Sequence, residues 1–249
     1  MKKRIISIDI NQGSKEFYEN QIIDLIKRKE SSYACFSNVH MLIEAYDNKE
    51  FAKAVNEATF AFPDGFPVAK SFKFLYKTNQ PRIAGMDFLP DFLKICDKKK
   101  YRIGVVGSTD SVLSKFKEKV EQDFPNVIIT VLISPPFNQT WENEKYIEEI
   151  NATKTDAVFV ALGCPKQEKW MHEHHMKIQA ILFGIGGALP TYVGDVKRAP
   201  VWVQKYGFEW LYRLLQEPKR MAKRYFYTNS KFIFLFIKAW LSKGKQSIT

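Results

Sequence analysis

From residue 4 to residue 183, short runs rich in β-branched and aromatic residues alternate with longer segments whose apolar residues recur every three or four positions. Residues 4–10, 33–36, 59–62, 102–106, 127–133, 157–162 and 180–183 have the make-up of buried strands. Between them, 14–29 (Ile22, Ile23 and Ile26 on one face), 38–46, 50–57, 66–77 and the stretch bearing Val112, Leu113, Phe116 and Val120 read as amphipathic helices. Two periods alternating along one chain leave few folds open. Parallel strands need long crossovers and antiparallel ones do not, so a helix after nearly every strand predicts an α/β, Rossmann-like, mainly parallel sheet with helices on both faces. Such sheets hold ligands beyond the carboxyl ends of their strands. Ser37-Asn38, Pro63-Asp64-Gly65, Gly107-Ser108-Thr109, Gly163-Cys164-Pro165-Lys166-Gln167 and Gly184-Ile185-Gly186-Gly187 each follow a predicted strand. Together they predict one extended crevice.

After the last strand the chain changes character. From residue 196 on, twelve lysines and arginines face only Glu209 and Glu217, so this stretch carries +10 of the formal +11. We divide the chain into an α/β domain, 1–195, and a basic, aromatic, helical appendage, 196–249. Pro218 disfavours helical geometry at Glu217 and suits a new first turn, so 208–216 and 218–227 are expected to be two helices meeting at a corner. Over 231–241, Phe232, Ile233, Phe236, Ile237 and Trp240 cover most of a helical wheel, with Lys231 and Lys238 along one edge. That pattern fits a cap on the body or an interfacial anchor with snorkelling lysines; we favour the anchor, with Lys231, Phe232, Phe236, Lys238 and Trp240 as its membrane contacts. The charge alone is compatible with nucleic acid, an anionic membrane or a phosphate-bearing substrate.

Other signals exclude whole classes. No apolar run approaches the ~20 residues of a membrane span, and residues 5–10 are too short for a signal sequence. Cys35, Cys96 and Cys164 are odd in number and widely spaced, arguing for a reducing, cytosolic setting. There is no Walker loop, and the glycines at 184–187 lack dinucleotide spacing. His172, His174 and His175 lack a ligand set for zinc, and no Asp-x-Asp pair is present to carry a divalent ion. We therefore predict no metal and no cofactor, with any bound phosphate neutralised by lysine and arginine. Asp64 is either a general base at the crevice rim or the N-cap of helix 66–77. Arg82 either binds phosphate or pairs with Asp87.

The segments named so far, with Arg82-Ile83-Ala84-Gly85-Met86-Asp87, Pro165-Lys166-Gln167-Glu168-Lys169-Trp170, Val196-Lys197-Arg198-Ala199-Pro200 and Glu209-Trp210-Leu211-Tyr212-Arg213-Leu214, occur in an order that resembles the WecG/TagA/CpsF family of bacterial glycosyltransferases. The resemblance covers residues 33–225. It implies inverting, metal-independent transfer from a UDP-sugar donor to an undecaprenyl-diphosphate-linked acceptor at the cytoplasmic membrane face. By motif, Asp64 would be the general base. Ser37 (where relatives often have threonine), Asn38 and Gln167 would orient sugar or acceptor. Arg82, Gly186, Arg213, Arg220 and Arg224 would hold the UDP diphosphate.

Two departures bear on the sugar. Leu189-Pro190-Thr191-Tyr192 replaces a run that carries a carboxylate in many relatives, and Phe66-Pro67 after Asp64-Gly65 is also a variant. N-acetylmannosamine, its uronic acid and a plain hexose stay open as donors, and so does a homo-oligomer. The competing classes are a nucleic-acid-binding protein, which lacks any reader signature in the tail, and a non-catalytic membrane-surface scaffold.

Overall fold

The first turn of chain departs from the alternation. In the structure, a computed structural model of the 249-residue chain, residues 1–136 and 139–246 are described, with the backbone alone for Arg220 and 243–246. Residues 4–10 are not one strand. β1 (Lys2–Ile5) and β2 (Ile8–Asn11) form an antiparallel hairpin apart from the main sheet, tied across by an Arg4–Asp9 ion pair. Ile6 takes a left-handed φ of 55° in the two-residue turn, a conformation that apolar periodicity does not reveal. Asn11 then accepts a hydrogen bond from the Ala61 backbone N–H.

Strands and helices alternate thereafter: α1 (Lys15–Lys27), β3 (Ser32–Ser37), α2 (Val39–Asp47), α3 (Lys49–Asn56), β4 (Phe60–Pro63), α4 (Phe66–Tyr76), α5 (Gly85–Lys99), β5 (Arg102–Gly107), α6 (Asp110–Asp123), β6 (Ile128–Ile133), α7 (Asn143–Ala152), β7 (Ala157–Ala161), α8 (Lys166–His174) and β8 (Ile181–Gly184). Side chains of Ser14, Asn38, Asn48 and Thr109 cap α1, α2, α3 and α6 by accepting from backbone N–H groups three residues on. Helix α5, unread in the sequence, forms around Pro90, which forfeits one internal hydrogen bond, because Phe88, Leu89, Phe92, Leu93 and Cys96 bury one face. Four short-to-long helices close the chain: α9 (Ala188–Tyr192), α10 (Val201–Lys205), α11 (Glu209–Gln216) and α12 (Pro218–Gln246). The corner at Glu217–Pro218 is where it was expected. The helix beyond it, however, runs unbroken through 231–241, since nothing after Pro218 interrupts it.

The six-stranded sheet is all parallel in the order β4-β3-β8-β7-β5-β6. Neighbouring strand residues face opposite sides: Tyr33 and Cys35 enter one apolar cluster, Ala34 and Phe36 the other, and likewise Val158 and Val160 against Ala157 and Phe159. The first cluster draws in α2, α3, α7, α8 and two residues of α12, Phe232 and Leu235. The second lies under α1, α5, α6 and α9, where Phe36, Phe62, Phe88, Phe92, Phe159 and Phe183 form a continuous set of ring contacts. Both faces are therefore sealed, and the site must lie at the sheet's carboxyl edge.

Candidate functional site

The chain leaves β3 toward one edge of the sheet and later returns to fill the middle with β7 and β8. A cleft of about 850 Å³ opens at the carboxyl ends of β4, β3, β8 and β7, roofed by α11 and α12. The Gly107-Ser108-Thr109 loop does not line it. Its strand, β5, lies beyond β7 in the sheet, so the crevice spans four strand ends and not the five expected.

Asp64 sits at the cleft floor, one residue past β4. Its backbone N–H donates to the Ser37 carbonyl (3.0 Å), extending the β3–β4 ladder by one bond. Its carboxylate does not cap α4: Gly65 is the N-cap, without a side-chain bond, and Pro67 stands in the first turn. That disposes of the capping alternative and leaves the carboxylate to the cleft. Burial drives its pKa up, Arg82 and Arg213 pull it down, Glu209 and Asp87 push it up, and the result is about 7. A carboxyl group balanced near neutrality is suited to taking a proton from a hydroxyl.

Cationic groups surround it. Arg82 pairs with Asp87 (3.0 Å) and with Glu209 of α11, and its guanidinium stacks over Phe66 at 5.1 Å. Arg198 pairs with the other Asp87 oxygen. Sequence reasoning had offered Arg82 two roles, phosphate binding or pairing with Asp87; the pairing is present. Arg213 lies against Gly187, where an added Cβ would fall 2.6 Å from its Nη2. Arg224 faces His40, whose pKa is lowered to about 4 by burial first and by that charge second. The Nε atoms of Arg198, Arg213 and Arg224 are all buried without a hydrogen-bond partner. Buried guanidinium N–H groups without acceptors are costly, and three around one cleft mark a wall suited to a multiply charged anion.

The other expected residues divide. Asn38 lines the cleft while its Oδ1 caps α2 by accepting from Met41 N–H at 3.1 Å. Gln167 and Gly186 line it at the β7 and β8 ends, Gly186 with a φ of 44° that a side chain would strain. Ser37, expected to touch sugar, is fully buried behind the wall, because strand alternation turns it away while Asn38 turns in. The Arg220 side chain lies outside the described residues. Of the five proposed membrane contacts, Phe232 is buried against the body and Lys231 pairs with Asp47, so the stripe of α12 they share faces the protein. Phe236 packs edge-on to Phe74, and Lys238 and Trp240 are exposed. One stripe of the helix therefore caps the body, one of the two alternatives weighed for it, while Ile233, Phe234, Ile237, Trp240 and Leu241 form an exposed apolar face.

Arg198, Asp87, Glu209 and Glu168 all stand inside the quoted motifs but were given no role at the site from the sequence, and only the fold brings 82, 87, 198 and 209 together. Glu168 is fully buried, and burial lifts its pKa to about 7. Among the described residues no three His, Cys, Asp or Glu side chains come together as metal ligands.

A parallel α/β sheet with an arginine-walled cleft and a carboxylate on its floor is an arrangement suited to phosphorylated ligands. The chain belongs to the WecG/TagA/CpsF family of glycosyl transferases, whose family model matches residues 3–246. It is similar to proteins named N-acetylglucosaminyldiphosphoundecaprenol N-acetyl-beta-D-mannosaminyltransferase from three organisms. The Bacillus spizizenii protein is 31% identical over 217 residues, 84% of this chain and 83% of that protein. The Bacillus subtilis protein is 30% identical over 189 residues (75% and 72%), and the Staphylococcus aureus one 27% over 216 (85% and 80%).

Proposed function

We propose that this chain transfers N-acetylmannosamine from a UDP-sugar to the sugar of an undecaprenyl-diphosphate-linked acceptor, with inversion and without a metal ion. The relatives' names supply the sugar and the acceptor class. The observation that carries the mechanism is the Asp64 carboxylate, free of any capping role, in one cleft with Arg198, Arg213 and Arg224, whose buried Nε atoms have no hydrogen-bond partner.

In this reading Asp64 accepts the proton of the acceptor hydroxyl as its oxygen attacks the anomeric carbon. The bond from that carbon to the diphosphate oxygen breaks on the opposite face, and UDP leaves with the electron pair. One carboxylate suffices, because inversion needs a single displacement and no enzyme-bound sugar. Arg213, Arg224, Arg198 and Arg82 meet the charge that grows on the leaving diphosphate, each well-placed donor worth about 3–4 kcal/mol in a water-poor site. Residues 196–249 act as an appendage: α11 and the start of α12 roof the site, and the exposed apolar face of α12 rests on the membrane surface where a polyprenyl acceptor lies.

The test is a panel of UDP-N-acetylmannosamine, UDP-N-acetylmannosaminuronate and UDP-glucose against a synthetic lipid-diphosphate N-acetylglucosamine, in chelator. Turnover of the first alone supports the reading. Preferred turnover of another sugar, or a strict metal requirement, overturns it.

A further inference from the structure

The two ends of the Gln167 amide are not equivalent. Nε2 donates to Glu168 Oε1 at 2.6 Å and to the Gly184 carbonyl at 3.1 Å, while Oε1 is buried with no hydrogen-bond partner. A main-chain carbonyl has no proton to give, so the Gly184 carbonyl fixes which end of the amide is nitrogen. Both N–H hydrogens are then used, and the carbonyl oxygen is turned to the remaining side. That side belongs to the cleft: Gln167, Gly184 and Gly186 all line it, and Oε1 lies 3.1 Å from where a Cβ on Gly186 would stand. At Gly184 an added Cβ would fall 3.2 Å from Nε2 and 2.7 Å from the Met171 methyl group, so the amide fits where it does because both residues lack side chains. Glu168 itself is fully buried and contributes nothing to the cleft wall.

We infer that Glu168 is a positioning residue: with the Gly184 carbonyl it locks Gln167 as a one-way acceptor, so the ligand group selected at this point of the cleft is a hydrogen-bond donor, a sugar hydroxyl or amide N–H. A phosphate or carboxylate oxygen is rejected there, since two acceptors facing each other repel. A sugar lacking the matching donor leaves Oε1 buried and unpaired, a penalty that sites of this kind turn into strong discrimination. The inference rests on the sugar-transfer reading and deepens it.

The experiment compares kcat/KM for UDP-N-acetylmannosamine with that for donors lacking one donor group each, the 2-, 3-, 4- and 6-deoxy sugars. The wild type is expected to disfavour at least one of them by about tenfold or more. Glu168→Met, similar in volume but without an acceptor, frees the amide to rotate and is expected to cut that ratio to within about threefold, mostly through loss on the full sugar. Glu168→Gln keeps an acceptor oxygen and is expected to restore the ratio. Gln167→Met, which removes the acceptor itself together with the donor to Glu168, is expected to give the same loss of discrimination. A wild type that turns over every deoxy donor like the full sugar overturns the inference. So does a Glu168→Met enzyme that keeps the ratio, or Met variants that slow full and deoxy donors in parallel. A wild type inactive with every UDP-sugar instead overturns the transfer reading beneath it.

Discussion

At the scale of single residues, the decisive fact is that Gly65, not Asp64, caps α4. A carboxylate relieved of structural work and held with a pKa of about 7 makes a stability prediction as well as a catalytic one. Its folded pKa lies above its unfolded one, so its contribution is most favourable below the unfolded value and is lost as pH rises toward 7. Asp64→Asn is therefore expected to melt at the same temperature as wild type or higher at pH 8, while nearly abolishing transfer; calorimetry at pH 5 and 8 checks this, and a large loss of stability at pH 8 would mean a structural role. Arg213→Ala and Arg224→Ala are each expected to lower kcat/KM by about 10²–10³-fold. Arg→Lys at either position should recover little, because a point ammonium cannot replace a fork of N–H donors. Recovery to wild-type rates in the lysine variants would place these side chains away from the diphosphate.

At the scale of elements, loops and glycines set where these side chains meet. Gly187→Ala would place a methyl group 2.6 Å from Arg213 Nη2. We expect it to act like a weaker Arg213→Ala, reducing kcat/KM with little change in melting temperature. How much of this was legible beforehand depends on the kind of signal. Strand and helix periodicity exposed the parallel sheet, because buried strands read as apolar runs whatever their partners. The hairpin at 2–11 was hidden, since its reversal rests on one left-handed residue, Ile6, which has no compositional mark. Helix α5 was hidden by Pro90. Asp64, Asn38, Gln167 and Arg82 were legible as strand-end residues in recognisable motifs. Arg198, Asp87 and Glu209 were not, because their meeting is a property of tertiary structure across more than a hundred residues. Ser37, the last residue of β3, is buried and does not line the cleft, whereas its neighbour Asn38 does, a difference that composition does not mark.

At the scale of the whole molecule, the concentration of charge after residue 196 acquires a spatial meaning. Arg198, Arg213 and Arg224 of that stretch line the cleft, one stripe of α12 caps the body, and its opposite stripe is apolar and open to solvent. No helix among the described residues is long and apolar enough to cross a membrane. Leu235→Ala, on the capping stripe, is expected to cost about 2–3 kcal/mol of stability by denaturant titration. Phe234→Glu with Trp240→Glu, on the open stripe, should leave stability intact and weaken binding to anionic vesicles at least tenfold. Unchanged vesicle binding in the double variant would remove the membrane role from this face.

The proposed chemistry turns on Asp64 taking the acceptor proton. The most direct measurement is the pH dependence of kcat/KM for transfer from UDP-N-acetylmannosamine, in wild type and Asp64→Asn. The wild-type profile is expected to climb about tenfold per pH unit below 7 and to level off above it, with a residual rate in Asp64→Asn that lacks this limb. A variant that keeps the wild-type rate, or that keeps the same limb at pH 7, would contradict it.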